Sequence, residues 1–385
     1  MKLLDRQKKT LKAKLNSENI GNDCIDNIIK EVYDDDPFLR AQMYLNSEYK
    51  RIKYIQDCGN YVAPREILLN KTEVEMGGKR DVYHYVPVID SMKILLDDLS
   101  FKQMVTNNRC INDVKLRDLK DGLHYKNSTY FQSNPEAYCL ILYSDAVEMK
   151  NPLGAAKGVY KIVQVYFSLC EIDKSQRSKV DRIQLAMVFR EKLLKKHSLK
   201  LILKPLIDDL IKLENGIVLS GSETRTVKCG VLCYSADNLE ASLLGGFSGS
   251  FSSRDICRVC HIQHQDLVVN ITDDHSLWSV EEYDNICKSI GANESVHDCR
   301  ITEERIDQVC HDDGELFFES SDDDSIDLFE AEPRFIDDID TRGVRQECPL
   351  NVLQSFHCVT SFPLDLMHDL FEGRFIYMQQ ILTSV

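Results

Sequence analysis

Two apolar runs, each ending in an aspartate, carry the residue types and spacing best suited to chemistry in this chain. The first is Tyr138-Cys-Leu-Ile-Leu-Tyr-Ser-Asp145, and the second, about ninety residues later, is Gly230-Val-Leu-Cys-Tyr-Ser-Ala-Asp237. Short apolar runs of this length predict buried strands. Two carboxylates delivered by neighbouring strands can hold divalent metal ions for phosphodiester cleavage, since magnesium prefers hard oxygen ligands. Asp145 and Asp237 are therefore the candidate catalytic and metal-binding residues.

The second aspartate also has a purely structural explanation. An aspartate that follows a strand often caps the next helix by accepting a hydrogen bond from one of its first free amides. The segment Asp237-Asn-Leu-Glu240 fits this pattern. The residues alone leave both explanations open.

The segments between the two aspartates predict how they are brought together. Strands are expected at 138–149, 160–170 and 182–189, followed by a basic amphipathic stretch at 190–214 and a strand that ends at 237. Three consecutive strands, a helix and a further strand beside the first predict an α/β fold with a mixed sheet. If that last strand lies next to the first, Asp145 and Asp237 meet.

The pair Cys257-Arg-Val-Cys260 suits a metal site of a different kind. This spacing lets two thiolates bind one zinc ion, which takes four tetrahedral nitrogen or sulfur ligands. The sequence has no second cysteine pair with this spacing, so histidines are the candidates for the other ligands. His261 and His264 are close in sequence, and His368 is distant. Lone histidines are more often packed or solvated residues than ligands, which leaves the ligand set open.

Composition and charge limit the classes of protein that fit. The net charge of −15 is concentrated in residues 301–340, which hold 16 acidic and 2 basic residues and leave about −1 for the rest of the chain. A nearly neutral body can still carry a basic surface for phosphates. No apolar run approaches the length of a transmembrane helix, and the start is not a secretory signal. The 14 cysteines are therefore expected to be reduced thiols, some of them metal ligands.

The basic stretch and the acidic segment each have a simple interpretation. The positive residues of the stretch are Arg190, Lys192, Lys195, Lys196, Lys200 and Lys204. They could contact phosphates, but the solvated face of an amphipathic helix is the favoured interpretation. The acidic segment is interpreted as a disordered linker. No P-loop, dinucleotide fingerprint or serine-hydrolase elbow occurs, which disfavours those nucleotide-binding and hydrolase classes.

Five segments, in their order along the chain, resemble a known family. They are Leu142-Tyr-Ser-Asp-Ala-Val-Glu-Met-Lys-Asn-Pro-Leu-Gly154, Val165-Tyr-Phe-Ser-Leu169, Ala236-Asp-Asn-Leu-Glu-Ala-Ser-Leu-Leu-Gly-Gly-Phe247, Cys257-Arg-Val-Cys260 and Phe362-Pro-Leu-Asp-Leu-Met-His-Asp-Leu-Phe-Glu-Gly373. Together they are similar to the transposase-like proteins found in many copies in animal genomes, which are related to CACTA-type cut-and-paste transposases. The resemblance covers roughly residues 45–385.

The resemblance implies an RNase H-like mixed sheet flanked by helices, with a helical N-terminal region and a zinc-bearing, partly disordered insertion. It also implies a DDE/D triad that binds two Mg²⁺ or Mn²⁺ ions, in which Asp145 matches the first acid and Asp237 the second. Cys257, Cys260 and His368 match a structural zinc site that would brace the insertion and take no part in the chemistry. In intact relatives the implied partner is DNA at the transposon ends, in the nucleus; a homo-oligomer is left open, and no membrane partner is expected.

On this basis we expect six parts along the chain. They are a helical N-terminal region at 1–60, an α+β lead-in segment at 61–135, an incomplete RNase H-like core at 136–246, a Cys/His-rich insertion at 247–300, an acidic disordered segment at 301–346 and the helical end of the insertion, with its Met-His motif, at 347–385.

The sequence departs from the family at the third acid. In the family this acid lies on a helix well beyond the Met-His motif, but only 17 residues follow His368 here, and Glu372 is too close to the motif. The sequence is therefore expected to be a truncated copy that binds a second metal ion weakly and has no catalytic activity. The alternative hypothesis is a non-catalytic nuclear module that binds DNA or protein and has a structural zinc site. A small-molecule hydrolase is a weaker third hypothesis, because no nucleophile constellation accompanies it.

Overall fold

The computed structural model describes residues 9–15, 22–30, 44–57, 61–71, 74, 78–98, 101, 116–149, 161–180, 182–219, 224–249, 257–263, 275–291 and 341–365. The chain divides into two units, Met1–Val62 and Ala63–Val385. In the first unit, helix α1 (Asn22–Ile29) buries Ile25, whereas helix α2 (Glu48–Asp57) buries none of its side chains. The second unit contains the sheet and both candidate aspartates.

A six-stranded mixed sheet is the centre of the second unit. Its strands are β1 (Arg65–Leu68), β2 (Val82–Tyr85), β3 (Tyr138–Glu148), β4 (Lys161–Leu169), β5 (Gln184–Arg190) and β8 (Cys229–Ser235), in the spatial order β1-β2-β5-β4-β3-β8. Two short strands, β6 (Ile217–Leu219) and β7 (Arg225–Val227), pair with each other. The strands are rich in β-branched and aromatic residues, which fit a pleated, half-buried surface.

Helices accompany the sheet. They are α3 (Val88–Asp97), α4 (Leu123–Asn127), α5 (Thr129–Ser133), α6 (Leu193–Lys196), α7 (Leu199–Asn215), α8 (Asn238–Leu244) and α9 (Cys358–Ser361). The apolar residues of α7 recur at three- and four-residue intervals, so one stripe of the helix is buried. Among the helices of the described residues, none combines the length and the apolar character needed to cross a bilayer.

The strand pairing confirms the predicted class. Strands β3, β4 and β5 are consecutive antiparallel neighbours. After α7, the chain returns in β8, which lies parallel to β3 on its other side. The structure is therefore an α/β protein with a mixed sheet flanked by helices, and the predicted adjacency of the first and last of these strands is confirmed.

Strand β8 contains a bulge next to β3. Leu140 pairs with Val231, but the following residue, Ile141, pairs with Cys233. Leu232 is therefore an extra residue in β8. A bulge of this kind shifts every later pair of the ladder by one residue.

The two faces of the sheet pack against different groups of residues. Leu140 and Leu142 of β3 belong to the main core, which also contains residues of α3 and α7. Cys139 and Ile141 belong to a smaller cluster with Phe131 of α5. Successive residues of a strand point to opposite faces, so this alternation fixes the face on which each later residue of β3 lies.

A buried carboxylate joins the end of α7 to a segment far along the chain. Glu214 Oε1 accepts hydrogen bonds from the Ser355 backbone N–H (2.8 Å) and from the Ser355 hydroxyl, and Oε2 accepts one from the Gln354 N–H (2.9 Å). The Ser355 oxygen in turn accepts a hydrogen bond from the Val231 N–H (2.7 Å) at the outer edge of β8. Gly230 permits this approach, because a Cβ there would lie 2.9 Å from the Ser355 Cβ.

Candidate functional site

The two candidate aspartates lie at the same end of neighbouring parallel strands. Tyr143 of β3 pairs with Ser235 of β8, and each aspartate lies two residues further along in its own strand direction. The bulge in β8 makes these levels agree, because without it Asp145 would be level with Ala236. Since neighbouring strands are about 5 Å apart, the backbones that carry Asp145 and Asp237 are close at this end of the sheet.

Asp237 has the structural role that the sequence allowed for it. It is the N-cap of α8, and its Oδ1 accepts a hydrogen bond from the Glu240 backbone N–H at 2.6 Å. The side chain is exposed. The cap uses one carboxylate oxygen and leaves the other open to a ligand, so capping and metal binding are compatible at this residue.

The Asp145 carboxylate makes no hydrogen bond or ion pair to the residues that the structure describes. Asp145 is exposed and lies level with Gln164 of β4. Its negative charge nevertheless affects the pKa of a neighbouring side chain. The pKa of Tyr166 is raised, chiefly by burial and additionally by the Asp145 carboxylate.

A third carboxylate, Glu240, lies beside the pair in the first turn of α8. Burial raises the pKa of Glu240 to about 7; the Ser144 hydroxyl opposes this, and the charges of Asp237, Asp145 and Glu191 add to it. Four acidic side chains are thus close enough to repel one another. Glu240 consequently keeps its proton up to about neutral pH.

Two buried hydroxyls next to Glu240 lack a well-formed hydrogen bond. Ser144 is 8% exposed and Tyr234 is 1% exposed, and neither hydroxyl oxygen has a hydrogen-bond partner among the described residues. The Ser144 hydroxyl nevertheless lies near enough to lower the pKa of both Glu240 and Tyr234 against the larger effect of burial.

The carboxylates do not converge on one point. Asp145 and Ser144 are consecutive in β3 and point to opposite faces of the sheet, and Glu240 adjoins Ser144. Within the described ranges, no three His, Cys, Asp or Glu side chains are placed to hold one metal ion. A metal ion between Asp145 and Asp237 would therefore complete its coordination with water or substrate, as magnesium commonly does.

The two candidate zinc thiolates lie next to each other. The pKa of Cys260 is raised by burial and by the neighbouring Cys257, and the backbone N–H of Ile262 opposes the rise. The Cys257 sulfur accepts a hydrogen bond from the Val259 N–H at 3.4 Å. Backbone N–H groups therefore point at both sulfurs, although the net pKa shift of Cys260 is upward.

Of the histidines proposed as further zinc ligands, His261 lies within the described residues. The Nε2 atom of His261 is hydrogen-bonded to the Glu282 carboxylate at 3.0 Å. The imidazole ring of His261 contacts Trp278. This nitrogen already has a partner, which makes His261 the poorer ligand. His264 and His368 lie outside the described residues.

Arg258 ties the cysteine pair to the segment that precedes His368. Its buried guanidinium donates hydrogen bonds to the carbonyl oxygens of Phe362 (3.1 Å) and Pro363 (2.8 Å). His368 is five positions after Pro363 in the sequence, and a stretch of chain of that length spans at most about 17 Å. The described residues therefore join the cysteine pair to the segment that ends a few positions before His368.

A second group of thiols packs around Tyr283 in the helical residues 280–291. The Tyr283 hydroxyl donates a hydrogen bond to the Gly245 carbonyl (2.7 Å) and accepts one from the Cys348 N–H (2.9 Å). Burial raises the pKa of Cys358, but hydrogen bonds from Cys348, Tyr283 and Asn351 outweigh it, and the net shift is downward. These contacts fasten residues 345–361 to the rest of the unit.

Sequence reasoning missed Glu240, Ser144 and Tyr234 as neighbours of the two aspartates. The spacing of Asp237 and Glu240 predicts a helix cap, and the same spacing also places the two acids in one helical turn. Ser144 directly precedes Asp145, so its position could have been inferred once the strands were paired.

No protein-family model matches this chain, and no curated protein matches it significantly. What bears on function is therefore the geometry of the two strand ends and of the cysteine pair.

Proposed function

We propose that this chain is a transposase-derived protein of the DNA strand-cleavage and strand-transfer lineage, built on an RNase H-like core. The observation that carries the proposal is the parallel pairing of β3 with β8, which sets Asp145 and Asp237 at one end of the sheet. The order β5-β4-β3-β8 is the one expected for three consecutive strands, a helix and a fourth strand beside the first. Only the first two acids of the triad are assigned to residues of this chain, so the proposal concerns metal binding at Asp145 and Asp237.

Asp145 and Asp237 are the residues that would hold Mg²⁺ or Mn²⁺. Their hard carboxylate oxygens suit either ion, and Asp145 and one oxygen of Asp237 are not engaged by other described residues. When bound, the metal supplies the charge that activates water or a DNA 3′-hydroxyl for phosphodiester chemistry. Binding is expected to be weak, because two carboxylates alone give an incomplete ligand set.

Cys257, Cys260 and His368 are the proposed ligands of a structural Zn²⁺ ion. The amide donors at the two sulfurs and the tether through Arg258 support this assignment. A closed zinc site contributes folding energy and no chemistry. Its proposed role is to brace the insertion at 247–300.

DNA is the proposed partner and the nucleus the proposed location. Strand transfer acts on DNA phosphodiesters, and the acidic side chains of Asp145, Asp237, Glu191 and Glu240 would repel a phosphate unless a cation lay between them. A homo-oligomer is compatible with this proposal.

Replacing Asp145 by asparagine is expected to lower the affinity for Mn²⁺ at least tenfold, which corresponds to about 1.4 kcal/mol. The amide keeps the shape of the side chain and removes its charge. Asp237→Asn is expected to act similarly without loss of the helix, because asparagine is an equally good N-cap. Free and bound Mn²⁺ can be measured by electron paramagnetic resonance. Asp208→Asn, at an exposed acid of α7 paired with Lys204, is the matched control and should bind as the wild type does.

Equal Mn²⁺ binding by the wild type and by both site variants would count against this assignment, because it would remove the metal role of the aspartates. Magnesium-dependent nicking of supercoiled plasmid that Asp145→Ala abolishes would support the assignment and would contradict only the expected lack of activity.

The purified chain is expected to contain one zinc ion, measured by elemental mass spectrometry. Cys257→Ser should lose that zinc, since a hydroxyl is a poor replacement for a thiolate ligand. Cys24→Ser, at an exposed thiol of the first unit, should retain it. A wild-type protein without zinc, or a Cys257→Ser protein that keeps its full content, would rule out this site.

A non-catalytic binding module is the second candidate function. The observation that favours it is the use of Asp237 as a helix cap, together with the lack of a three-ligand acid set among the described residues. One zinc ion per chain with no measurable Mn²⁺ affinity would favour the module over the strand-transfer lineage.

A further inference from the structure

Several strands start or finish at the end of the sheet where the two aspartates lie. Strands β3 and β5 run in the same direction, because β4 is antiparallel to both, and β8 is parallel to β3. The carboxyl ends of these three strands therefore lie at one end of the sheet. Strand β2 is antiparallel to β5, so the residues just before β2 lie at the same end.

The register places the first basic residues close to Asp145. Asp145 is level with Gln164 of β4, which is level with Val188 of β5. Two strand spacings, about 10 Å, separate Asp145 from Val188. Arg190 ends β5 two residues further along, and Lys192 follows at the N-cap of α6. Positive charge therefore begins about 10–15 Å from the candidate metal site.

Part of this positive charge is not neutralised by the protein. Four exposed cations here make no ion pair within the described residues: Lys79, Arg190, Lys192 and Lys195. Two other cations do have acidic partners. Lys196 lies 3.5 Å from Asp81, and Lys161 lies 3.8 Å from Glu191.

We propose that Lys79, Arg190, Lys192 and Lys195 form a surface, here called the basic edge, that binds the phosphate backbone of DNA and positions it at the candidate metal site. The part of this inference that concerns chemistry at Asp145 and Asp237 rests on the proposed function. Contacts between cations and phosphates fix the position of a duplex without reading its sequence. Outside residues 301–340 the chain has a net charge of only about −1, so the charge of the remaining chain opposes DNA binding only weakly.

The double substitution Lys192→Glu/Lys195→Glu tests the basic edge in the full chain. Binding to a fluorescently labelled duplex is measured by anisotropy over a range of salt concentrations. We expect at least a tenfold loss of affinity at low salt. We also expect the slope of log K against log salt to fall by about 2, because each phosphate contact contributes about 0.9 to it.

Lys174→Glu/Lys179→Glu is the matched control. It makes the same change in net charge on the connection between β4 and β5, which lies at the opposite edge of the sheet. We expect less than a twofold change in affinity. Equal losses in the two double variants would overturn the proposal, as would a wild type that fails to bind the duplex or that prefers anionic lipid vesicles to it.

Mn²⁺ binding, measured on the same proteins, separates this inference from the proposed function. Loss of DNA binding in Lys192→Glu/Lys195→Glu with Mn²⁺ binding retained supports the basic edge. Unchanged DNA affinity in that variant overturns the basic edge and leaves the metal site standing. Loss of DNA binding in a protein whose wild type binds no Mn²⁺ supports the basic edge and overturns the proposed metal site.

Discussion

Replacing Glu240 by glutamine is expected to stabilise the metal-free protein at pH 8 by about 2–3 kcal/mol. Glutamine has the shape of the protonated side chain and no charge to be repelled by Asp237, Asp145 and Glu191. The pKa of Glu240 is raised from 4.5 to about 7 in the folded chain. Since one pKa unit corresponds to about 1.36 kcal/mol, the full pKa shift gives the upper limit of the gain in the free energy of unfolding. Partial exposure of Glu240 to solvent makes the gain smaller than this limit.

The effect has a defined dependence on pH. The unfolded chain releases the Glu240 proton near pH 4.5, but the folded chain keeps it until about pH 7. The unfolded state therefore binds fewer protons between these values, and stability is lost as the pH rises through them. The gain from Glu240→Gln should be small at pH 4.5 and complete at pH 8. Urea unfolding followed by the fluorescence of Trp278, the only tryptophan of the chain, measures it.

Glu136→Gln is the control for this pH dependence. Glu136 is exposed, and its substitution should change the free energy of unfolding by no more than about 0.5 kcal/mol at either pH. A Glu240→Gln protein that is less stable than the wild type at pH 8 would mean that the carboxylate makes a favourable contact there. Most core substitutions destabilise a protein. A higher free energy of unfolding in Glu240→Gln would therefore show that the charged form of Glu240 is unfavourable in the folded protein.

Strands β3 and β8 could be predicted from sequence because each depends on a local pattern, whereas their adjacency stayed a condition until the strands were paired. Each strand is an apolar run, and the connection between β5 and β8 has the helical periodicity of α7. The bulge at Leu232 could not be predicted in the same way. Val231, Leu232 and Cys233 are all apolar, so the pattern does not tell which of them is the extra residue. That one residue nevertheless decides whether Asp237 or Ala236 is level with Asp145.

The environment of the site depends on contacts that no local pattern contains. The cysteine pair is recognisable from its spacing, but the bond from Arg258 to Phe362 joins residues 104 positions apart. The bond from Ser355 to Glu214 joins residues 141 positions apart. Such contacts form only when the elements pack, so the sequence gives the ligand types and leaves their neighbours undetermined.

Replacing Glu214 by alanine is expected to lower the free energy of unfolding by about 3–5 kcal/mol. The carboxylate accepts hydrogen bonds from two backbone amides and from the Ser355 hydroxyl, all in a buried place. Alanine leaves these donors unsatisfied, at about 1–3 kcal/mol for each group that water cannot reach. Since a typical domain has a stability of about 5–15 kcal/mol, this variant should unfold at a much lower urea concentration.

Asp208→Ala separates this effect from the loss of an acid on α7. Asp208 is exposed and paired with Lys204 one helical turn away, an interaction worth about 0.3–0.5 kcal/mol. Glu214→Gln should fall between the two variants, because its amide oxygen still accepts while its NH₂ group meets other donors. A loss below about 1 kcal/mol in Glu214→Ala would mean that water replaces the carboxylate. In that case the Ser355 contact with Val231 would not hold the edge of β8, and the position of Asp237 at the end of that strand would have to be maintained by β3 alone.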